Sequence, residues 1–514
     1  MPIRIELKFP AAEVPEMEQL LSMAASRAGY PNATAVLMRK SIDARRAPLF
    51  LFAVDVYPAG EEVQRVQGFR LQNVAHCEEV HIVGMGPAGI FAAMQLIELG
   101  YKPVILERGK DVRRRRFDLA DLVKNHQVNE DSNYCFGEGG AGTYSDGKLY
   151  TRSNKRGPVH KVLASLHEHG AADTILYEAH PHIGTNKLPA IIENYRKSII
   201  ECGGEVLFDC RVTGFLRDSN ALTGLLLGSG EKLSVRHLIL ATGHSARDIF
   251  ELLHRENIAI EAKPFALGVR MEHHQSLVDT IQYHCKVKPE MLPAASYSLV
   301  EQVMGRGVFS FCMCPGGIIA PAATAAGEVV VNGWSPSKRN GEFANSGFVV
   351  SVDEKDFKPF EKFGPLAGME YQRHWEQIAF QTAGNLTAPA QRIEDFIQKK
   401  TSSTLPACSY LPGIQSRPID EVVSADISAR LREALVVLGK KMHGFRTNDA
   451  VLVGVESRTS SPVKIPRDKV LLHHTELSNL YPTGEGAGYA GGIMSAALDG
   501  MRVAESIALS IQKT

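Results

Sequence analysis

The chain has no run of about 18 apolar residues, the length a membrane-crossing helix needs, so no transmembrane segment is expected. It has no charge surplus either. Lys plus Arg and Asp plus Glu each number 57, which removes the overall attraction that nucleic acid or an anionic membrane would exert. Cysteines are few, eight, and none stand as C-x-x-C. That spacing argues against a disulfide framework and suits reduced thiols in a cytoplasmic setting. The opening Met1-Pro2-Ile3-Arg4-Ile5-Glu6 alternates polar and apolar residues and is not expected to be a signal peptide.

Glycine, by contrast, is abundant and patterned. Three stretches fit G-x-G-x-x-G. Only the first, Gly84-Met85-Gly86-Pro87-Ala88-Gly89, has the surroundings that give the pattern meaning. The apolar run Val80–Val83 precedes it, and Ile90, Ala93 and Ile97 follow on one helical face. Gly100 breaks that helix, Val104-Ile105-Leu106 reads as a second strand, and Glu107 closes it, eighteen residues beyond Gly89. A strand, tight turn, helix, strand and terminal acid make a dinucleotide-binding unit. The first glycine permits the turn and the second lets backbone N–H groups approach a pyrophosphate. The third permits close helix packing, and the acid accepts from a ribose diol.

The second match, Gly137-Glu138-Gly139-Gly140-Ala141-Gly142, has no apolar strand before it and no helix after it. It reads as a loop whose bare backbone lies against something flat or anionic. The third, Gly486-Ala487-Gly488-Tyr489-Ala490-Gly491, follows a strand end and Glu485 and precedes a helix rich in small residues. Its bare N-terminus suits an electron-rich ring edge. A buried strand, Leu238-Ile239-Leu240, also runs into small residues at Ala241-Thr242-Gly243-His244.

Around these motifs the pattern predicts a small N-terminal α+β module, with strands near 3–9, 35–38 and 49–56 and a helix near 15–27. Its basic stretch Arg39–Arg46 is expected to be a solvated hairpin tip. The tetrad Arg113–Arg116 reads as an exposed helix face, with cofactor phosphate as the alternative. Runs between 205 and 240 suggest β-hairpins. From 260 to 455 strands and helices mix, including a helix over Ala425–Leu438 with Ser424 as N-cap and Gly439 as stop.

Ala241-Thr242-Gly243 and Gly484-Glu485-Gly486 resemble the second and third FAD motifs of glutathione-reductase-type flavoproteins, with Glu485 where Asp is usual. Together with Gly137–Leu149, Ala241–Asp248, Cys312-Met313-Cys314-Pro315-Gly316-Gly317 and Gly484–Gly492, they resemble a family of uncharacterised bacterial FAD-dependent dehydrogenases over nearly the full chain. The resemblance implies an α/β fold: a discontinuous Rossmann-like FAD-binding domain (77–260 and 456–514), an inserted mixed α+β domain (261–455) and the N-terminal module (1–76). It implies FAD held by Gly84, Gly86, Pro87, Ala88, Gly89, Glu107 and Arg108 and by Gly140, Ala141, Gly142 and Thr143. Val212, Ala241, Thr242, Gly243, Gly484, Glu485, Gly492 and Ile493 complete that set. The expected role is an FAD-dependent oxidoreductase, a dehydrogenase of a small-molecule substrate. A hydroxylase-type flavin monooxygenase and a non-catalytic FAD-containing binding protein are the alternatives.

The flavin carries the redox chemistry, and the protein must orient substrate and supply protons. With one dinucleotide unit, reducing equivalents come from NAD(P)H bound transiently at the flavin face or from the substrate. His244, Lys148 and Tyr489 are the candidate catalytic residues: a proton donor near neutral pKa, a cation, and a ring cover. Arg247 is a further candidate for an acidic substrate or the flavin's polar edge. Cys312 and Cys314 read as buried inert thiols, or as pocket lining. No metal ligand set, nucleic-acid partner or membrane partner is expected. Substrate and oligomeric state are left open.

Overall fold

The apolar runs flanking the first glycine motif lie at the heart of a five-stranded parallel sheet. The computed structural model describes residues 2–30, 32–63, 66–150 and 157–512. Glu79–Val83 is the central strand, with Lys102–Leu106 and then Glu205–Leu207 on one side and Leu238–Leu240 and then Leu480–Pro482 on the other. The strands read as continuous apolar runs because both faces are covered, as parallel sheets require. Val80, Ile82, Leu106, Leu238 and Leu480 are all fully buried or nearly so.

The chain first builds outward from the central strand in one direction, then returns to build in the other. The order therefore reverses between Glu79–Val83 and Leu238–Leu240, and such reversals open a crevice at the strands' carboxyl ends. Ladder bonds run one residue past the strands, from Gly84 N to Leu106 O, Ala241 N to Val83 O and Thr483 N to Leu240 O. All three glycine-rich strand ends are thereby aligned on one edge.

Helix Pro87–Glu98 starts on Gly86 and is buried almost all round. Against it lies the last helix, Ile493–Ile511. The small residues of that helix have a packing reason: a Cβ on Gly500 would sit 2.1 Å from Ala88 O. Only a bare helix face allows this approach, which brings both helix N-termini to the same crevice.

Two of the expected hairpin strands belong elsewhere. Glu205–Leu207 joins the parallel sheet, and the run Leu233–Leu240 is divided, with Lys232–Ser234 in a three-stranded antiparallel sheet and Leu238–Leu240 in the parallel one. Both segments are apolar and short, so local pattern cannot choose their partners.

Residues 265–456 supply a seven-stranded mixed sheet in the order Val300–Val303, Arg306–Cys314, Phe343–Val352, Phe265–His274, Val451–Glu456, Ala388–Arg392, Ile414–Ser416. All pairs are antiparallel except the last. Helix Ala425–Lys441 packs across it, capped by the Ser424 hydroxyl accepting from Ile427 N. Gly439 does not stop this helix; it lies inside it, where a Cβ would meet Arg446 Cδ at 2.2 Å.

At the N-terminus, Ile3–Pro10, Leu49–Tyr57 and Thr34–Asp43 form an antiparallel sheet beneath helix Met17–Arg27. The basic stretch is strand as far as Asp43, which pairs with Arg45. Lys40 adds its backbone to the segment around Tyr177–Ala179, so this module joins the rest by strand-like pairing. Among the described residues no helix is long and apolar enough to cross a membrane.

Candidate functional site

A cavity of about 410 Å³ opens at the strands' carboxyl ends, within the ~300–1,000 Å³ typical of cofactor and small-molecule sites. Its lining brings together segments far apart in the chain: Gly84–Ala88, Glu107-Arg108, Gly140–Gly142, Ser145–Lys148, Val212, Ala241–Ala246, Thr483–Glu485 and Gly491–Ala496.

The three glycines of the first motif do different work. Gly84 has φ +101, and a Cβ there would lie 2.5 Å from Ala241 O. A Cβ on Gly89 would lie 2.1 Å from Gly84 O. Gly86 alone faces open space, with nothing within 4 Å of its Cβ position, and so do Gly243, Gly491 and Gly492. These four bare positions all line the cavity and form a cradle that side chains would fill. Two helix N-termini, at Gly86 and Gly492, add partial positive charge there. The fit to a ligand with a pyrophosphate and an anionic ring edge is good.

Glu107 is buried and works hard. Its Oε2 accepts from Met85 N at 2.8 Å, and its Oε1 accepts from Gly109 N at 2.9 Å and Gly137 N at 3.0 Å. One carboxylate thus joins the first motif to the second glycine loop. Arg108 lies over the Phe136 ring at 4.4 Å and is paired with Asp131 and Asp248 at 2.7 and 2.9 Å.

Arg115, fully buried, donates to the carbonyls of Asn133, Glu138 and Gly140 and so shapes that loop from behind. The rest of the tetrad makes no contact with the cavity: Arg113 pairs with Glu193, and Arg114 with Asp111 and Asp209. The phosphate alternative for this tetrad therefore falls away. Thr143 is also behind the lining, its hydroxyl donating to Glu138 O at 2.6 Å.

At the other end Glu485 Oε2 meets His244 Nδ1 at 3.0 Å, while Oε1 accepts from Gly492 N. Burial pushes the Glu485 carboxyl up, but His244 and the Gly492 N–H outweigh it and hold the carboxyl below its usual value. The longer side chain of Glu, compared with Asp, is what spans His244 and the helix start together. Asp499 fixes the neighbouring strand end, accepting from Thr483 Oγ1 and Gly484 N and pairing with Arg467.

Two expected residues lie elsewhere. Tyr489 does not cover the cavity; Arg467 sits 3.7 Å from its ring centroid, outside the lining. Arg247 is buried with its guanidinium committed, to Glu328 at 3.0 Å and Glu376 at 2.9 Å, because the Arg247–Arg255 helix starts toward those carboxylates. Arg458 completes that cluster and also lines the cavity. Arg458 carried no local signal beyond a charge following the apolar run Val451–Val455.

Lys148 lines the cavity with its ammonium 3.2 Å from Asp146 and 3.7 and 3.8 Å from the sulfurs of Cys312 and Cys314. Burial would lower its pKa, but the thiols and Asp146 prevail and raise it, so Lys148 is a fixed cation and not a base. Asn332 and Phe311, unremarkable in the sequence, complete this wall.

Residues 264–459 match the family model of the FAD-dependent protein C-terminal domain, which spans all seven strands of the mixed sheet. A Clostridium beijerinckii protein, described only as uncharacterised, is 42% identical over 452 residues, covering 87% of this chain and 84% of that one. Among solved structures, CtdE in complex with FAD aligns over 85% of this chain and 89% of its own at 10% identity and a TM-score of 0.33. The flavin-dependent brominase Bmp2 aligns over 85% and 79% at 12% identity and a TM-score of 0.37. At those scores the likeness says nothing of this chain's reaction. With 42% identity across most of both chains, this protein and the clostridial one are members of one family, and its residues 264–459 are similar to the C-terminal domain of FAD-dependent proteins.

Proposed function

We propose that FAD lies along this cavity and that the protein is an FAD-dependent oxidoreductase, a dehydrogenase of a small-molecule substrate. In this reading Glu107 and Arg108 flank the adenosine half, and Gly86, Pro87 and Ala88 face the pyrophosphate. Gly140–Gly142, Ala241–Gly243 and Val212 line the middle. Glu485, Gly492 and Ile493 face the flavin half. Residues 77–260 and 456–514 then form the FAD-binding domain, of glutathione-reductase-type layout, with 261–455 as the substrate side. The observation that supports it most is the convergence of four side-chain-free glycines and two helix N-termini on one cavity.

The bound flavin supplies hydride and electron acceptance. The chain's own groups do the rest. The N-terminus of the last helix, from Ile493 on, favours negative charge there, with Gly492 N–H already given to Glu485. His244, oriented by Glu485 through Nδ1, is placed to hold or release a proton at its other nitrogen. Lys148 presents a permanent positive charge at the same end.

The test is purification with FAD, anaerobic reduction by NAD(P)H and by a panel of small oxidisable substrates, and product analysis after reoxidation in isotopically labelled O₂. A dehydrogenase leaves the product free of the label. Labelled oxygen in the product would replace this reading with that of a monooxygenase. A protein that neither retains nor rebinds FAD would contradict the cofactor placement itself.

A further inference from the structure

The wall formed by Cys312, Cys314, Lys148 and Arg270 carries more chemistry than lining requires. Cys314 is fully buried, whereas Cys312 is partly exposed and borders the cavity. The strand Arg306–Cys314 breaks register with Phe343–Val352 between Phe311 and Cys314, and Cys312 there adopts φ +45. A non-glycine residue in that region is strained, and a bulge re-aims the side chain it carries. Arg270 holds the bulge in place: its Nη2 donates to Cys312 O at 2.7 Å and lies 3.4 Å from Cys314 Sγ. Lys148 Nζ reaches both sulfurs from the glycine loop.

The local charge count points the same way. From the glycine-loop side come Lys148 and Asp146; Arg339 pairs with Asp146 at 2.6 Å, and His182 lies near both. From the mixed sheet come Arg270 and Glu456, 3.2 Å apart. Asp146 is held ionised by Lys148 and Arg339 against its burial. Burial pushes Glu456 up to about 7, so it compensates Arg270 only in part. Three firm cations therefore face one firm carboxylate, and the sulfurs are the remaining groups in contact that can carry negative charge. The hydrogen bond from Cys314, then Lys148 and Arg270, hold Cys312 well below the ordinary thiol value, while burial and that same hydrogen bond push Cys314 up.

We propose that the Cys312–Cys314 pair carries one negative charge, presented on the Cys312 sulfur at the flavin end of the cavity, and that this thiolate is a nucleophile toward small uncharged molecules with an electrophilic carbon. The location at the flavin end rests on the FAD placement above; the thiolate itself does not. With iodoacetamide as the probe, the Cys312 sulfur forms a bond to carbon as the carbon–iodine bond breaks and iodide leaves.

The experiment is peptide-resolved alkylation of the full-length protein by iodoacetamide from mildly acidic to alkaline pH, with and without FAD. Cys312 is expected to react at least tenfold faster near pH 6.5 than any other cysteine. Its rate midpoint should lie well below the ~8.5 of a free thiol. Lys148→Met should move that midpoint upward, and Lys148→Arg, which keeps the charge, should restore it. A Cys312 midpoint at or above ~8.5 in wild type would overturn the thiolate, and so would an unchanged midpoint in a folded Lys148→Met. FAD should slow Cys312 alkylation at least tenfold. If FAD binds without slowing it, the flavin-end location is wrong. If FAD does not bind while Cys312 still reacts fast, the cofactor placement fails and the thiolate stands.

Discussion

The glycines of the first motif allow a prediction that separates folding from cofactor binding. Gly86 has φ −79 and ψ −176, values any residue adopts, and a Cβ there meets nothing within 4 Å. Gly86→Val should therefore leave the apo-protein's stability within about 1 kcal/mol of wild type, as for substitutions that disturb no packing. Gly89 is the opposite case. A Cβ 2.1 Å from Gly84 O has backbone to displace, so Gly89→Ala should cost the apo-protein about 1–3 kcal/mol by overpacking. On the proposed FAD placement the order reverses for binding, because the valine side chain enters the open space at Gly86 that the pyrophosphate would fill.

A loss of about a hundredfold in affinity corresponds to ~2.8 kcal/mol. With FAD at about 100 times the wild-type Kd, wild type gains ~2.7 kcal/mol of stability, while a variant binding a hundredfold more weakly gains only ~0.4 kcal/mol. Urea denaturation of the three proteins, with and without FAD, reads both quantities. The reasoning fails if Gly86→Val keeps the full FAD gain. It fails equally if its apo midpoint drops as far as that of Gly89→Ala.

Two further predictions concern buried charge. Arg458→Met leaves the buried Glu328 and Glu376 to share Arg247, so it should cost about 3–5 kcal/mol in urea midpoint measurements; a loss under about 1 kcal/mol would show that the cluster is not held as described. Glu456 is pushed up to about 7 by burial, with Arg270 opposing. Between about pH 4.5 and 7 the native protein therefore holds a proton there that the unfolded chain has released, and this group's contribution to stability falls as pH rises. Glu376, held to about 2, gives its contribution in full above ~4.5 and does not offset that slope. Glu456→Gln should therefore lose less stability, or gain more, than wild type between about pH 5 and 8; parallel pH profiles for the two would refute the assignment.

The parts of the fold that sequence made legible were those whose signals are local. The strand, Gly84, the Pro87–Glu98 helix and Glu107 sit within thirty residues, and each step has a steric reason. Partners far away were not legible. Arg247 looked free because its carboxylates lie 81 and 129 residues on. Gly439 looked like a helix stop because the side chain needing its space, Arg446, arrives only after the chain has turned back. The small residues of the last helix suggested a bare N-terminus for the cofactor. The structure gives one of them a packing reason: Gly500 is there for Ala88, a contact between helices some four hundred residues apart.

An overall charge of zero gives no hint of the field inside the cavity. The cavity contains carboxylates, but each is already engaged. Glu107 accepts three backbone N–H groups, Glu485 is bound by His244 and Gly492 N, Asp146 by Arg339 and Lys148, and Asp248 by Arg108 and Arg211. What remains without a side-chain cap is the start of the helix at Gly86; the last helix is already met by Glu485, and the ammonium of Lys148 by Asp146 and the two sulfurs. An anionic ligand therefore gains from the cavity without first displacing an internal ion pair. The pairs also keep the walls rigid, so the ordering cost of binding falls on the ligand more than on the protein. This arrangement suits a dianionic pyrophosphate better than a neutral substrate. Specificity for the small molecule must then come from the opposite wall, where Phe311 and Cys312 of the mixed sheet and Asn332 of a neighbouring two-stranded sheet face the cavity.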